Sequence, residues 1–146
     1  VYIAFITQAG YLYIWKDFEL LDNFPKQVNG LYRENFIAYN DNFVALDEDG
    51  LISMFDLQGE KIKEYSLAFS AKNPFLSVKN IKSNQEILFV NPDAALLFAV
   101  DKNLNETNFS PQSGKGNPVF ADVNGDKKND MIVITPDNKI CAWIVQ

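Results

Sequence analysis

The chain has 146 residues, 47% hydrophobic and 14% aromatic, and its 12 Phe, 6 Tyr and 2 Trp exclude disorder and argue against a coiled coil. Its net charge of −6, with no basic cluster of five or more, disfavours nucleic acid and anionic membrane surfaces as partners. The complete lack of histidine removes Ser-His-Asp triads, Cys-His dyads and His-ligated zinc together.

Aromatic and β-branched richness suits pleated surfaces, so an all-β chain is expected. From the N-terminus, Tyr2 to Thr7 and Tyr11 to Trp15 read as strands, followed by a shorter one near Phe18 to Leu21. Phe36 to Asn40, Phe43 to Asp47, Leu51 to Leu57 and Lys61 to Leu67 form the fullest set, each bounded by Asn, Asp or Gly turns. In the last of these, Lys61, Lys63 and Glu64 mark an outer edge that resists edge-to-edge pairing. A third set is expected near 75–81, 86–91 and 95–101, with a weak fourth member near 106–109. Asn103 to Asn117, rich in Asn, Ser, Gly and Lys, reads as a loop. Val119 to Ala121, Met131 to Thr135 and Lys139 to Val145 complete the pattern. The longest apolar run, Ala94 to Val100, is seven residues, far short of the roughly 20 that span a bilayer.

One hairpin recurs four times. The turns Ala9-Gly10, Asp49-Gly50, Ala94-Ala95 and Asp137-Asn138 each precede a short apolar strand, and their second residues are spaced by 40, 45 and 43. A β-sandwich also shows regular turns, but a period in the low forties built from hairpins points to β-propeller blades, small sheets that must stack to bury their faces. The expected fold is therefore all-β, with propeller-type repeats of four-stranded antiparallel blades. The expected organisation is a single domain with about three to four blades, near 1–30, 31–70, 71–112 and 113–146. The chain starts at Val1 and mid-blade and stops after a third strand, which reads as a trimmed or processed piece. A closed ring normally takes four to eight blades. An incomplete ring is the expectation, completed by further blades of a longer chain or by a second copy.

The chemistry concentrates in one loop. Asp122, Asn124, Asp126 and Asp130 stand at positions 1, 3, 5 and 9 of a turn sequence, and Lys128 at position 7 can offer its backbone carbonyl. A tight loop directs alternate side chains inward, and calcium takes six to eight hard oxygens. The alternative is an Asx-rich turn that bonds only its own backbone. Position 12 is Val133 rather than a bidentate Glu, and a strand follows instead of a helix, so this is no EF-hand. Asp47-Glu-Asp49-Gly50 and Asn40-Asp-Asn42 lack the odd spacing and read as plain turns.

Phe120 to Ile134 resembles the calcium loop of FG-GAP repeats, the blades of integrin α-chain propellers (VCBS-like repeats are similar), whose pattern is F-x-D-V-N-G-D-G-x-x-D-hydrophobic. The resemblance implies Asp122, Asn124, Asp126, the Lys128 carbonyl and Asp130 as ligands of a structural Ca²⁺. Lys127 stands where that family has glycine, a departure that costs roughly 1 kcal/mol if the backbone keeps a positive φ. Phe5 to Trp15 with Asn23-Phe-Pro25, and Val44 to Gly59, resemble more loosely the blades shared by FG-GAP and PQQ-type quinoprotein-like propellers.

These resemblances imply a non-catalytic interaction or scaffold module that presents blade loops to a protein or glycan partner. They also imply an extracellular, cell-surface or periplasmic setting. A carboxylate-dependent propeller glycosidase is the enzymatic alternative, and a metal-free quinoprotein-like scaffold the other. Trp15, Phe55 and Trp143 occupy equivalent repeat positions and are expected to pack between blades. The single cysteine, Cys141, allows no internal disulfide and reads as a small packed side chain. Asn105-Glu-Thr107 and Asn108-Phe-Ser110 are glycosylation sequons.

Overall fold

The computed structural model describes residues 1–28, 30, 32–67, 75–81, 84–91, 93–107 and 112–144. It is all-β among these residues, and it divides into two compact units, Val1–Ser70 and Ala71–Gln146.

In the first unit, β1 (Tyr2–Ile6), β2 (Tyr11–Lys16), β3 (Glu19–Leu20) and β4 (Lys26–Gln27) form one antiparallel sheet, with both two-residue strands paired to β2. The second sheet is a simple meander of β5 (Tyr32–Tyr39), β6 (Asn42–Asp47), β7 (Leu51–Phe55) and β8 (Lys61–Ser66). In the second unit, β9 (Phe75–Ile81), β10 (Asn84–Asn91), β11 (Leu96–Val100) and β12 (Gln112–Ser113) make a third antiparallel sheet. β13 (Lys115–Ala121), β14 (Asp130–Ile134) and β15 (Ile140–Trp143) make the fourth.

Four equivalent hairpins explain why the strands turn where they do. Gly10, Gly50, Ala95 and Asn138 all take positive φ, at 78°, 83°, 50° and 63°, as the last residue before the returning strand or within one of it. A side-chain oxygen at the head of each turn then satisfies the backbone that the turn leaves unpaired. Thr7 Oγ1 accepts the Tyr11 amide at 2.9 Å, and Asp47 Oδ1 accepts those of Asp49 and Leu51 at 3.0 and 2.8 Å. Asn91 Oδ1 accepts the amides of Asp93 and Ala94, and Thr135 Oγ1 that of Lys139. Gly10 is doubly constrained, because a Cβ there would lie 2.4 Å from the Val28 carbonyl oxygen.

Packing within each unit follows the pleat. Leu12 and Ile14, with Ala4 and Ile6 behind them, bury one face of the first sheet against Phe36, Phe43, Ala45 and Phe55 of the second. In the second unit Leu88, Val90, Leu97 and Ala99 of the third sheet meet Met131, Val133, Phe120, Cys141 and Trp143 of the fourth. A fully buried aliphatic side chain contributes roughly 1.5–3 kcal/mol, so these two layers supply the main cohesion of their units. The second sheet is buried on both faces, since Val44, Leu46, Ile52 and Met54 on its other side are also at most 2% exposed.

Several expectations change. The weak strand near 106–109 is instead a single bridge from Glu106 to Val100, and the fourth strand of its sheet sits at Gln112–Ser113. Residues 108–111, with the second sequon, lie outside the described residues. The stretch 103–117 is therefore only partly loop, because β12 and the start of β13 fall in it. β4 was not legible, and β13 is longer than its apolar core, with a register shift between Lys115 and Val119 where Gly116 (φ 75°) and Pro118 stand. Phe55 and Trp143 pack against the neighbouring sheet of their units and Cys141 beside Trp143. Trp15 does not. It lies on the opposite face of its sheet, stacked with Phe5 and Tyr13.

Candidate metal-binding loop

β13 and β14 pair through Ala121 and Asp130, so the eight residues between them are pinched at a two-stranded base. That pinch makes the loop a closed turn rather than an open connection. Asp122, Asn124, Asp126 and Lys128 are exposed along it, whereas Asp130, the first residue of β14, is fully buried.

The expected site residues are tied together through the backbone. Asp122 Oδ1 accepts the amides of Gly125 at 2.6 Å and Asn124 at 3.2 Å, and its Oδ2 accepts that of Lys127 at 2.8 Å. Asn124 Oδ1 takes the Asp126 amide at 2.9 Å, and Asp126 Oδ1 takes the Lys128 amide at 2.8 Å. Asn124 Nδ2 donates to Asp126 Oδ2 at 3.4 Å. These donors, the Lys127 amide foremost, hold the Asp122 carboxyl below the usual carboxylate range. Gly125 and Lys127 both take positive φ, 82° and 67°, so the lysine adopts the conformation for which glycine is the favoured residue.

Asp130 closes the arrangement. Its Oδ2 accepts the Val123 amide at 3.2 Å, but its Oδ1 is buried with no hydrogen-bond partner among the described residues. A buried carboxylate oxygen left without a donor is costly, and a cation or an ordered water is the kind of group that relieves that cost. The donor set fits calcium in kind, being hard oxygens from carboxylates and an amide. Among the described residues no three His, Cys, Asp or Glu side chains are drawn close enough together to enclose an ion. The oxygens lie spread along the loop, and Asp122, Asn124 and Asp126 are each held by a backbone amide.

The other acidic turn behaves differently. Asp47 is 5% exposed, and burial pushes its carboxyl up while the Leu51 and Asp49 amides pull it down. Its hydrogen bonds complete the β6–β7 hairpin. Elsewhere in the first unit, a cavity of about 260 Å³ is lined by Lys26, Val28, Leu51, Ser53, Phe55 and Lys61, among others. Both lysines are paired, with Glu60 and Glu64, so its walls are largely neutralised.

No family model matches the chain, and no curated protein matches it. Solved structures do. A chain from the crystal structure of BBS1N in complex with ARL6DN, soaked with mercury, superposes with a TM-score of 0.72 at 13% identity, over 99% of this chain and 47% of that one. The same complex soaked with lead gives 0.72 at 12% identity, over 99% and 46%. The WD40 β-propeller domain of Doa1 gives 0.59 at 15% identity, over 98% and 46%. The fold is that of a β-propeller. The chain spans about half the length of the structures it matches.

The Asp47 turn was expected from the sequence; the matching turn oxygens of Thr7, Asn91 and Thr135 were not, although the sequence carries their signal. Each stands three or four residues before the positive-φ residue of its hairpin.

Proposed function

We propose that this propeller-type chain is a non-catalytic interaction module whose last sheet carries a structural calcium site in the Asp122–Asp130 loop. The observation that carries the metal half is the buried, donorless Oδ1 of Asp130 at the base of a loop rich in side-chain oxygens. Asp122, Asn124, Asp126, the Lys128 carbonyl and Asp130 would hold the ion. It supplies charge neutralisation and cross-links the two ends of the loop. Similarity to FG-GAP repeats supports the same assignment, and with it an extracellular, cell-surface or periplasmic setting where millimolar calcium fills a modest site.

The interaction half is supported by the fold and by a neighbour crystallised in complex with a protein partner. Stacked sheets form a rigid frame, and loops held by it are pre-organised for binding. A protein partner is the preferred occupant.

Thermal unfolding with calcium and with chelator tests this reading. Calcium should raise the Tm of the wild type and leave Asp126→Ala unchanged. Equal Tm values for the wild type in both conditions would remove the metal half. Hydrolysis of an aryl glycoside by the purified chain, lost on changing a carboxylate pair, would contradict the non-catalytic half.

A further inference from the structure

Beside its oxygens, the β13–β14 loop carries a second chemistry. Asn124 is followed by Gly125, and the sequence has one other such pair, Asn29-Gly30, whose Asn29 lies outside the described residues. A side-chain amide is electrophilic at Cγ, and the backbone nitrogen of the next residue is the nucleophile nearest to it. Attack closes a five-membered imide, which a side chain on that next residue obstructs. Gly125 has none, even a Cβ there would meet nothing within 4 Å, and Asn124 is exposed to water.

Three hydrogen bonds decide how this pair reacts. The Asp126 amide donates to Asn124 Oδ1 at 2.9 Å, so a donor already faces the oxygen on which charge develops as nitrogen adds to Cγ. Asn124 Nδ2, the nitrogen that would leave, donates to Asp126 Oδ2 at a long 3.4 Å and is weakly held. Against these stands the Gly125 amide, which donates to Asp122 Oδ1 at 2.6 Å, the shortest of the three. That nitrogen must lose its proton to attack. A carboxylate against it occupies the proton and repels the anion that its loss would leave. A charge-assisted bond is roughly twice as strong as a neutral one, so restraint outweighs assistance while Asp122 holds.

We propose that Asn124 is a deamidation site, converted to aspartate and isoaspartate by its own backbone at a rate that Asp122 sets by holding the Gly125 amide. The Gly125 nitrogen bonds to Asn124 Cγ, and Nδ2 departs as ammonia with the amide proton, leaving a cyclic imide. Water, the one co-reactant, then opens the ring. Breaking the Cγ–N bond gives aspartate. Breaking the bond from the backbone carbonyl to that nitrogen gives isoaspartate, whose backbone is one atom longer. The modification does not depend on a metal, but its consequence rests on the calcium reading: aspartate adds a charged ligand at position 3, and isoaspartate displaces the odd-position spacing.

The test incubates the full chain at neutral pH and body temperature, in chelator so that no arm depends on calcium. Peptide mass spectrometry follows the small mass gain of an amide becoming an acid at Asn124, and isoaspartate is scored with isoaspartyl methyltransferase. The wild type should gain that mass, more slowly than the same peptide in the urea-unfolded chain. Asp122→Ala should react about tenfold faster, the worth of one hydrogen bond to a charged group. Asp122→Asn, which keeps an uncharged acceptor, should fall between them, and it carries the comparison if circular dichroism shows Asp122→Ala unfolded. Asp126→Ala removes a loop carboxylate but leaves the Gly125 amide held, so it should stay near the wild-type rate. No gain at Asn124 in the folded wild type by the time the unfolded chain has reacted fully would overturn the site. Asp122 variants no faster than wild type would overturn the role of Asp122. So would Asp126→Ala as fast as Asp122→Ala, since looseness of the loop would then set the rate.

Discussion

Two acidic loops of this chain begin from similar residues and end with opposite electrostatics. In the β6–β7 turn, Asp47 is buried, its Oδ1 accepts two backbone amides, and the turn is complete in itself. In the β13–β14 loop, Asp122 sits outside and is flooded with amide donors, whereas Asp130 is buried with one oxygen that nothing in the described structure satisfies. Burial raises Asp47 and hydrogen bonding lowers Asp122. The two turns thus differ in what their buried carboxylate lacks, more than in how many carboxylates they hold.

The largest effect should separate the loops by calcium. At 100 times its Kd, a ligand adds about 2.7 kcal/mol to the folded state, a Tm rise of roughly 10 °C for a domain of this size. Asp47→Asn should keep that rise and Asp130→Asn should lose it, as read by differential scanning calorimetry. Loss of the rise in Asp47→Asn as well would erase the distinction. Next, Asp47→Ala strands two amides, each worth about 1 kcal/mol, so denaturant unfolding should show a loss of about 2 kcal/mol that calcium does not change.

With chelator present, Asp130→Asn should be the more stable protein by about 1 kcal/mol, because it removes a buried charge with an unpaired oxygen. Calcium should invert that order, and the inversion is the sharpest sign of an ion at this oxygen. Lys127→Gly removes a positive-φ lysine and a cation near the ion. At about 8 Å in a water-like medium a unit charge acts on a divalent ion with about 1 kcal/mol, so calcium should bind roughly fivefold tighter.

The smallest effects are those of pH, and their signs oppose. Asp47, raised on folding, contributes stability that is fully present below its ordinary value of 3.8 and is lost as pH rises through its folded value. Asp122, lowered on folding, contributes stability present above 3.8 and lost as pH falls through its folded value. Tm measured in chelator across the acid range should therefore flatten in opposite places for Asp47→Asn and Asp122→Asn.

What was legible in the sequence was local. Hairpins showed because a turn that needs positive φ selects Gly or Asn and repeats with its blade, so Gly10, Gly50 and Asn138 carried the period and with it the propeller architecture. The oxygen loop showed because its spacing is written within nine residues. β4 and β12 did not, since two-residue strands have no room for a periodic pattern. The side taken by Trp15 was also illegible. Both faces of Tyr11 to Trp15 are apolar, so alternation could not say which one the second sheet covers. Nor could sequence show that Asp130 is buried with an orphan oxygen, because that depends on how β14 packs beneath the loop.

Calorimetric titration of calcium into the chelator-treated chain tests the central claim most directly. A single binding isotherm with one ion per chain, absent in Asp126→Ala and in Asp130→Asn but present in Asp47→Asn, is the expected result. No heat of binding in the wild type at millimolar calcium, or an unchanged isotherm in Asp130→Asn, would contradict it.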